Sequence, residues 1–169
     1  EGAGLRITAA VVSGETDGIY ARNNGTGALS VTATGAVTGT GGDGVTAKNF
    51  GTDLTITAAS VSGGGVGIAA QNNGSGALSI TSTGDVTGDA SEGIYARNEG
   101  TDLTISAAVV SGYTDGIFAR NNGTGDLSVT ATGLVTGENG RGIYANNYSN
   151  SGGRLVIDVA AVTGATEGI

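Results

Sequence analysis

Counted from its Gly-Ile and Gly-Val pairs, this chain of 169 residues repeats its chemically useful side chains at fixed offsets. Directly after the pair come Tyr20, Thr46, Ala69, Tyr95, Phe118 and Tyr144, and two residues further stand Arg22, Lys48, Gln71, Arg97, Arg120 and Asn146. An aromatic column beside a basic one is what binding surfaces favour, through stacking on sugars or burial against protein. The candidate binding residues are therefore Tyr20, Arg22, Tyr95, Arg97, Phe118, Arg120 and Tyr144. The competing structural reading is that aromatics suit strands and that arginine covers their rings.

Immediately before the pair lies an acidic column: Asp17, Asp43, Val66, Glu92, Asp115, Arg141 and Glu167. Carboxylates on adjacent repeats could chelate calcium, which takes several oxygen ligands. The one local glycine-aspartate cluster, residues 41–44, is not a repeated calcium loop, so no metal site and no cofactor is expected. Glycoside cleavage needs two carboxylates at a set separation, one of them in a cleft that raises its pKa. Here the acids recur evenly on short turns. The absence of cysteine and histidine removes thiol chemistry, thiolate metal sites and the commonest general base. No catalytic residue is assigned, and the chain reads as a non-enzyme; a polysaccharide-active β-helix enzyme is the alternative.

Two further columns carry hydroxyls: Ser30, Thr55, Ser79, Thr104, Ser128, and Thr8, Thr32, Thr57, Thr81, Ser106, Thr130. A regular hydroxyl array resembles the ice-binding face of β-solenoid antifreeze proteins, which makes ice binding the second alternative. Outward threonine is also ordinary strand chemistry, and Arg6, Val156 and Asp158 interrupt the array at its ends. Five residues after each complete pair stands an asparagine: Asn23, Asn49, Asn72, Asn98, Asn121 and Asn147. Stacked amides can donate to the repeat above and accept from the one below, so this column reads as a structural ladder. Four tripeptides, beginning at Asn24, Asn73, Asn122 and Asn147, match the glycosylation sequon, which Asn-Gly turns produce without any glycan. The connection over residues 146–154 breaks the repeat and could be a contact loop.

What positions these columns is the repeat itself. Leu-x-Ile/Val triplets start at Leu5, Leu29, Leu54, Leu78, Leu103, Leu127 and Leu155, so the unit is a 49-residue pair of unlike halves of 24 and 25 residues. Segments 13–39 and 111–137 differ at four positions, the mark of internal duplication. Apolar residues alternate with period two, as in Leu5, Ile7 and Ala9, which predicts strands, not helices. Three strand candidates fall in each half: in the first, Leu5–Ala9, Val11–Ser13 and Ile19–Arg22. The fold expected is all-β: a right-handed, three-sided parallel β-helix of about seven rungs, roughly 30 Å long at about 4.8 Å per rung. Residues 1–169 form one segment, expected to be excised from a longer rod. A single rung buries too little apolar surface to offset the entropy of ordering it, so stability has to come from ladders between rungs.

Composition narrows the class. The chain has 34 glycines, no proline, methionine or tryptophan, and a net charge of -8. That charge repels phosphates, so nucleic acid is not an expected partner. No apolar run approaches the roughly 20 residues needed to cross a bilayer, and no direct membrane insertion of this segment is expected. The rung consensus, roughly LxITAxxVSGxxxDGIYARNxGTG, together with the Gly, Thr, Ser and Asn content, resembles the passenger β-helices of bacterial autotransporters (type V secretion). The resemblance implies export, display at the bacterial cell surface or release outside it, and an adhesin or stalk role. The partners it implies are a host glycan or an extracellular matrix protein, with self-association of rods as a further expectation.

Overall fold

The alternation of inward aliphatic and outward polar residues builds a parallel β-solenoid in the computed structural model, which describes residues 4–148 and 153–169. No helix occurs among the described residues. The first strand of successive turns runs Gly4–Ala9, Ala28–Ala33, Leu54–Ala58, Leu78–Ser82 and Leu103–Ala107, then the opening parts of Leu127–Gly137 and Leu155–Gly164. The second runs Val12–Gly14, Val37–Gly39, Val61–Gly63, Val86–Gly88 and Val110–Gly112, then the closing parts of the same two long strands. The third runs Ile19–Asn23, Val45–Asn49, Ile68–Asn72, Ile94–Asn98, Ile117–Asn121 and Ile143–Asn147. Six turns thus carry all three strands, and residues 155–169 begin a seventh.

Each strand pairs in parallel with its equivalent one turn away, so every sequence column becomes a column in space. The triplet leucines pair in register from Leu5 to Leu29, Leu54, Leu78, Leu103, Leu127 and Leu155. The third strands form a six-stranded sheet of their own. The first and second strands, in contrast, join into one 12-stranded sheet. This differs from three separate short strands per rung: Leu127–Gly137 and Leu155–Gly164 run unbroken through the first corner, with a register shift between Ala131 and Leu134. Across that corner residues 132–134 face Ala160 and Ala161 in the next turn, and the extra residue is absorbed as a bulge.

The corners together explain the 49-residue unit, the second alternating between four residues, as at 64–67, and five, as at 89–93, and the third between four, as at 50–53, and five, as at 73–77. Strand lengths hold steady while the first corner alternates between two residues, as at 10–11, 59–60 and 108–109, and three, as at 34–36 and 83–85. Unlike halves therefore share one cross-strand register and differ only where the chain bends.

The interior is a stack of aliphatics. Leu29, Ile56, Leu78, Ile80, Ile94, Leu103, Ile105, Ile117 and Leu127 have no accessible surface, while Leu5, Ile7, Ile157 and Val162 in the outermost turns are only partly covered. The glycine of each Gly-Ile or Gly-Val pair from Gly18 to Gly142 is fixed by close approach. A Cβ on Gly67 would lie 2.5 Å from the Gly93 carbonyl oxygen and 2.7 Å from Val86 Cγ1. Gly18, Gly44, Gly93, Gly116 and Gly142 meet the same valine and backbone neighbours of the following turn. Only hydrogen leaves room there for the next turn to seat its valine.

One polar column runs inside the rod. Asn23 Nδ2 donates to Asn49 Oδ1 at 2.8 Å, and the chain continues Asn49 to Asn72, Asn72 to Asn98 and Asn98 to Asn121 at 3.0 Å each, then Asn121 to Asn147 at 3.3 Å. All five bonds point the same way along the axis, which lets each polarise the next. The second amide hydrogen goes to carbonyls of the same turn, as from Asn72 to Gly76 and from Asn98 to Asp102. Asn49, Asn72, Asn98 and Asn121 are fully buried, yet every amide is satisfied, which is the condition for placing polar groups in a core.

Asn72→Ala breaks this chain in the middle and is expected to cost about 2 kcal/mol in urea denaturation, the penalty of buried amide groups left without partners. Gly67→Ala is expected to cost about 1–3 kcal/mol by forcing apart two turns that already touch. Equal stability of either variant to the parent would remove the stated role of that residue.

Candidate functional site

The third-strand sheet carries the aromatic and basic columns on its outer side, in the register Tyr20, Thr46, Ala69, Tyr95, Phe118, Tyr144. It brings together three of the four aromatics. Tyr95 and Phe118 stack with centroids 5.1 Å apart and an interplanar angle of 9°, and Phe118 and Tyr144 stack at 4.9 Å and 20°. Tyr20 stands apart, 57% exposed, because Thr46 and Ala69 separate it from Tyr95 by three turns, about 14 Å at the interstrand spacing. Thr46 is buried and donates its hydroxyl to Asp43 Oδ2 at 2.8 Å. Because ring packs on ring, Phe118 has no free face to lend to a sugar. The stack offers ring edges and hydroxyls outward.

The basic column is held by short local bonds. Arg22 Nε donates to Asn24 Oδ1 at 2.9 Å, Arg97 Nε to Glu99 Oε1 at 2.8 Å, and Arg120 Nε to Asn122 Oδ1 at 2.8 Å. Asn122 Nδ2 reaches back to Glu99 Oε1 at 2.8 Å, tying two turns together. The Arg22 guanidinium lies 5.2 Å from the Phe50 centroid, and that of Arg120 lies 4.6 Å from Tyr148. Burial pushes the Glu99 carboxyl upward, but the Asn122 and Arg97 hydrogen bonds and the charges of Arg97 and Arg120 outweigh it, so its pKa falls below 4.5.

Arg141 interrupts the acidic column and turns the interruption into a bridge. Its Nη2 lies 2.7 Å from Asp115 Oδ2, its Nε donates to Asp115 Oδ1 at 3.2 Å, and its guanidinium lies 4.1 Å from the Tyr144 centroid. The Asp115 hydrogen bond raises the pKa of Arg141. Tyr144 is shifted below 10.0, first by the amide of Asn146, which donates to its hydroxyl, against the upward push of burial. Arg141, Phe50 and Tyr148 belong to this face although the column pattern does not single them out. Only Arg141 had a signal in the sequence, a basic residue where its equivalents are mostly acids.

The acids have a structural use that residue type alone conceals. Asp17 Oδ1 accepts from Asp43 N at 2.9 Å, Asp43 Oδ1 from Val66 N at 2.9 Å, and Asp115 Oδ1 from Arg141 N at 2.8 Å. A second acid set at another corner does the same: Asp53 to Ala77 N at 2.9 Å, Asp102 to Asp126 N at 2.8 Å and Asp126 to Arg154 N at 2.7 Å. A glycine precedes most of these donors, and a Cβ on Gly42, Gly65, Gly76, Gly125 or Gly140 would run into the accepting carboxylate. Each pairing is thus an aspartate in one turn and a glycine-led amide in the next. No three acidic side chains converge on a common point among the described residues.

On the 12-stranded sheet the hydroxyl columns are three, not two. The second strands add Ser13, Thr38, Ser62, Thr87, Ser111, Thr136 and Thr163, in register. From Ser30 to Thr136 every position of these three columns is serine or threonine, the exposed Leu134 standing between them at the corner of Leu127–Gly137, and none of these hydroxyls bonds to another group among the described residues. Of the connection over residues 146–154, residues 149–152 lie outside the described residues, and with them Ser149 of the Asn147 sequon.

No protein-family model, curated protein or solved structure matches the chain. The likeness to autotransporter passengers accordingly rests on the repeat consensus and composition alone.

A double-mutant cycle on Tyr95→Ala and Phe118→Ala is expected to give a coupling of about 0.5–1.5 kcal/mol, the worth of a stacked pair. Additive single effects would contradict the stack. Glu99 has a lowered folded pKa, so its contribution is present above the ordinary value of 4.5 and is lost as pH falls through the lower folded value. The stability difference between parent and Glu99→Gln should stay constant near neutrality and shrink only below about pH 4.5, measured by urea melts across pH.

Proposed function

We propose that this chain is a non-enzymatic stalk segment of an exported bacterial surface protein, and that its third-strand face contacts an acidic extracellular matrix protein. The observation that carries the stalk reading is the unbroken register of all three strand columns around one buried amide ladder. Such a rod holds a fixed direction because every turn is bonded to its neighbours along its whole perimeter. The autotransporter-like consensus supports export and surface display.

The contact reading rests on charge and geometry together. In a chain of net charge -8, Arg22, Lys48, Arg97 and Arg120 share a single column, with Tyr20 and the Tyr95-Phe118-Tyr144 stack beside them. Arginine and tyrosine on a rigid face are favourable contact residues, and their partner is acidic by complementarity. A protein suits the face better than a glycan, since the rings spend their faces on each other. A second reading, ice binding, is favoured by the hydroxyl columns of the other sheet, which are uncharged from Ser30 to Thr136 and whose hydroxyls have no bonding partner among the described residues. It predicts thermal hysteresis that disappears on Thr57→Tyr with Thr81→Tyr.

The deciding experiment is an array of matrix proteins and glycans probed with the parent, a Tyr95→Ser, Phe118→Ser, Tyr144→Ser variant, and an Arg22→Gln, Arg97→Gln, Arg120→Gln variant. Folding of each is checked by circular dichroism. The expected result is salt-sensitive binding to acidic proteins that falls about tenfold or more in both variants, as loss of contact residues worth over 1 kcal/mol requires. Binding to glycans alone, or no binding by the parent, would overturn the contact reading.

A further inference from the structure

The chain holds four Asn-Gly bonds among the described residues, at Asn24, Asn73, Asn122 and Asn139, and the structure treats the last one differently. In the first three, the glycine amide donates to the side-chain oxygen of the ladder asparagine that precedes the pair. Gly25 N reaches Asn23 Oδ1 at 3.0 Å, Gly74 N reaches Asn72 Oδ1 at 3.4 Å and Gly123 N reaches Asn121 Oδ1 at 3.2 Å. Asn139-Gly140 lies at a different corner, away from the ladder. There the equivalent amides of four other turns donate to the carbonyl one turn back, Gly42 to Thr16, Gly65 to Gly42, Thr114 to Ser91 and Thr166 to Gly140, while that of Ser91 makes no such bond. Gly140 N makes no such bond to Thr114, and no other partner for it occurs among the described residues. The same seam leaves the buried Thr114 Oγ1 unpaired. The Asn139 side chain is exposed and tethered only through its Nδ2, to the Tyr113 carbonyl at 3.2 Å.

We propose that Asn139 is the chain's site of spontaneous deamidation, and that the asparagine ladder protects the other three Asn-Gly bonds. Cyclisation begins when Gly140 N loses its proton to solvent base and attacks Asn139 Cγ. An N–Cγ bond forms, the Cγ–Nδ2 bond breaks, and Nδ2 takes a proton back from solvent and leaves as ammonia. Water then opens the succinimide at either carbonyl to give aspartate or isoaspartate at position 139. An amide already donating a hydrogen bond has to break it before it can attack, and the other three glycines carry that cost while Gly140 does not.

The test is incubation of the native chain at mildly alkaline pH, with peptide mapping by mass spectrometry that separates aspartate from isoaspartate. In parallel the same chain is incubated in urea. The expected result is Asn139 converting about tenfold faster than Asn24, Asn73 or Asn122 in the native chain, the factor that one hydrogen bond supplies. In urea the four rates should converge. Native conversion at Asn24, Asn73 or Asn122 as fast as at Asn139 would overturn the proposal, as would an Asn139 lead that persists unchanged in urea.

Discussion

The structure depends on one constraint: each turn has to present to the next the same row of backbone groups and inward side chains, in the same register. The asparagine column is where that constraint is tightest. A buried amide with both hydrogens and its oxygen engaged tolerates no sliding, because a one-residue slip would leave several polar groups unpaired at once. The aliphatic stack around it supplies most of the burial but little directionality. Leucine over leucine would tolerate small shifts that Asn72 over Asn49 does not.

Other features follow from that register. From Gly18 to Gly142, the glycine of each Gly-Ile or Gly-Val pair is required because the valine of the following turn occupies the space where a side chain would stand. The corner aspartates exist in company with glycines one turn later, since the carboxylate needs both an amide to accept from and an absent Cβ to fit against. The 49-residue unit expresses the freedom that remains: corners alternate in length while strands do not. In the last two turns the chain runs through the first corner as the long strands Leu127–Gly137 and Leu155–Gly164, with a bulge between Ala131 and Leu134.

Much of this was legible from residue spacing. The period-two alternation of Leu5, Ile7 and Ala9 and the fixed offset of Asn23, Asn49 and Asn72 contain the strands and their columns directly, because in a parallel solenoid equal offset means adjacency. What spacing conceals is what the columns do to each other. Asp17 and Gly42 look unrelated in sequence, yet one carboxylate needs the other's missing side chain. Tyr20 shares an offset with Tyr95, but Thr46 and Ala69 break contact, and contact between rings, unlike register, does not extend across small residues. Phe50 and Tyr148 escape the pattern because each stands at a corner, opposite an arginine set by a different strand.

The rod's outer sides carry distinct chemistries on one rigid frame: an Arg/Tyr face on the third strands, and rows of serine and threonine hydroxyls on the joined sheet. Both depend on the ladder within for their spacing. The most direct measurement is therefore solvent exchange of asparagine side-chain amides, followed by NMR in the native protein. The account predicts that the Nδ2 hydrogens of Asn49, Asn72, Asn98 and Asn121 exchange as slowly as core backbone amides, while those of Asn24 and Asn73 exchange at once. Rapid exchange at Asn72 and Asn98 in a folded chain would mean that no continuous amide column holds the turns in register, and would contradict the account at its base.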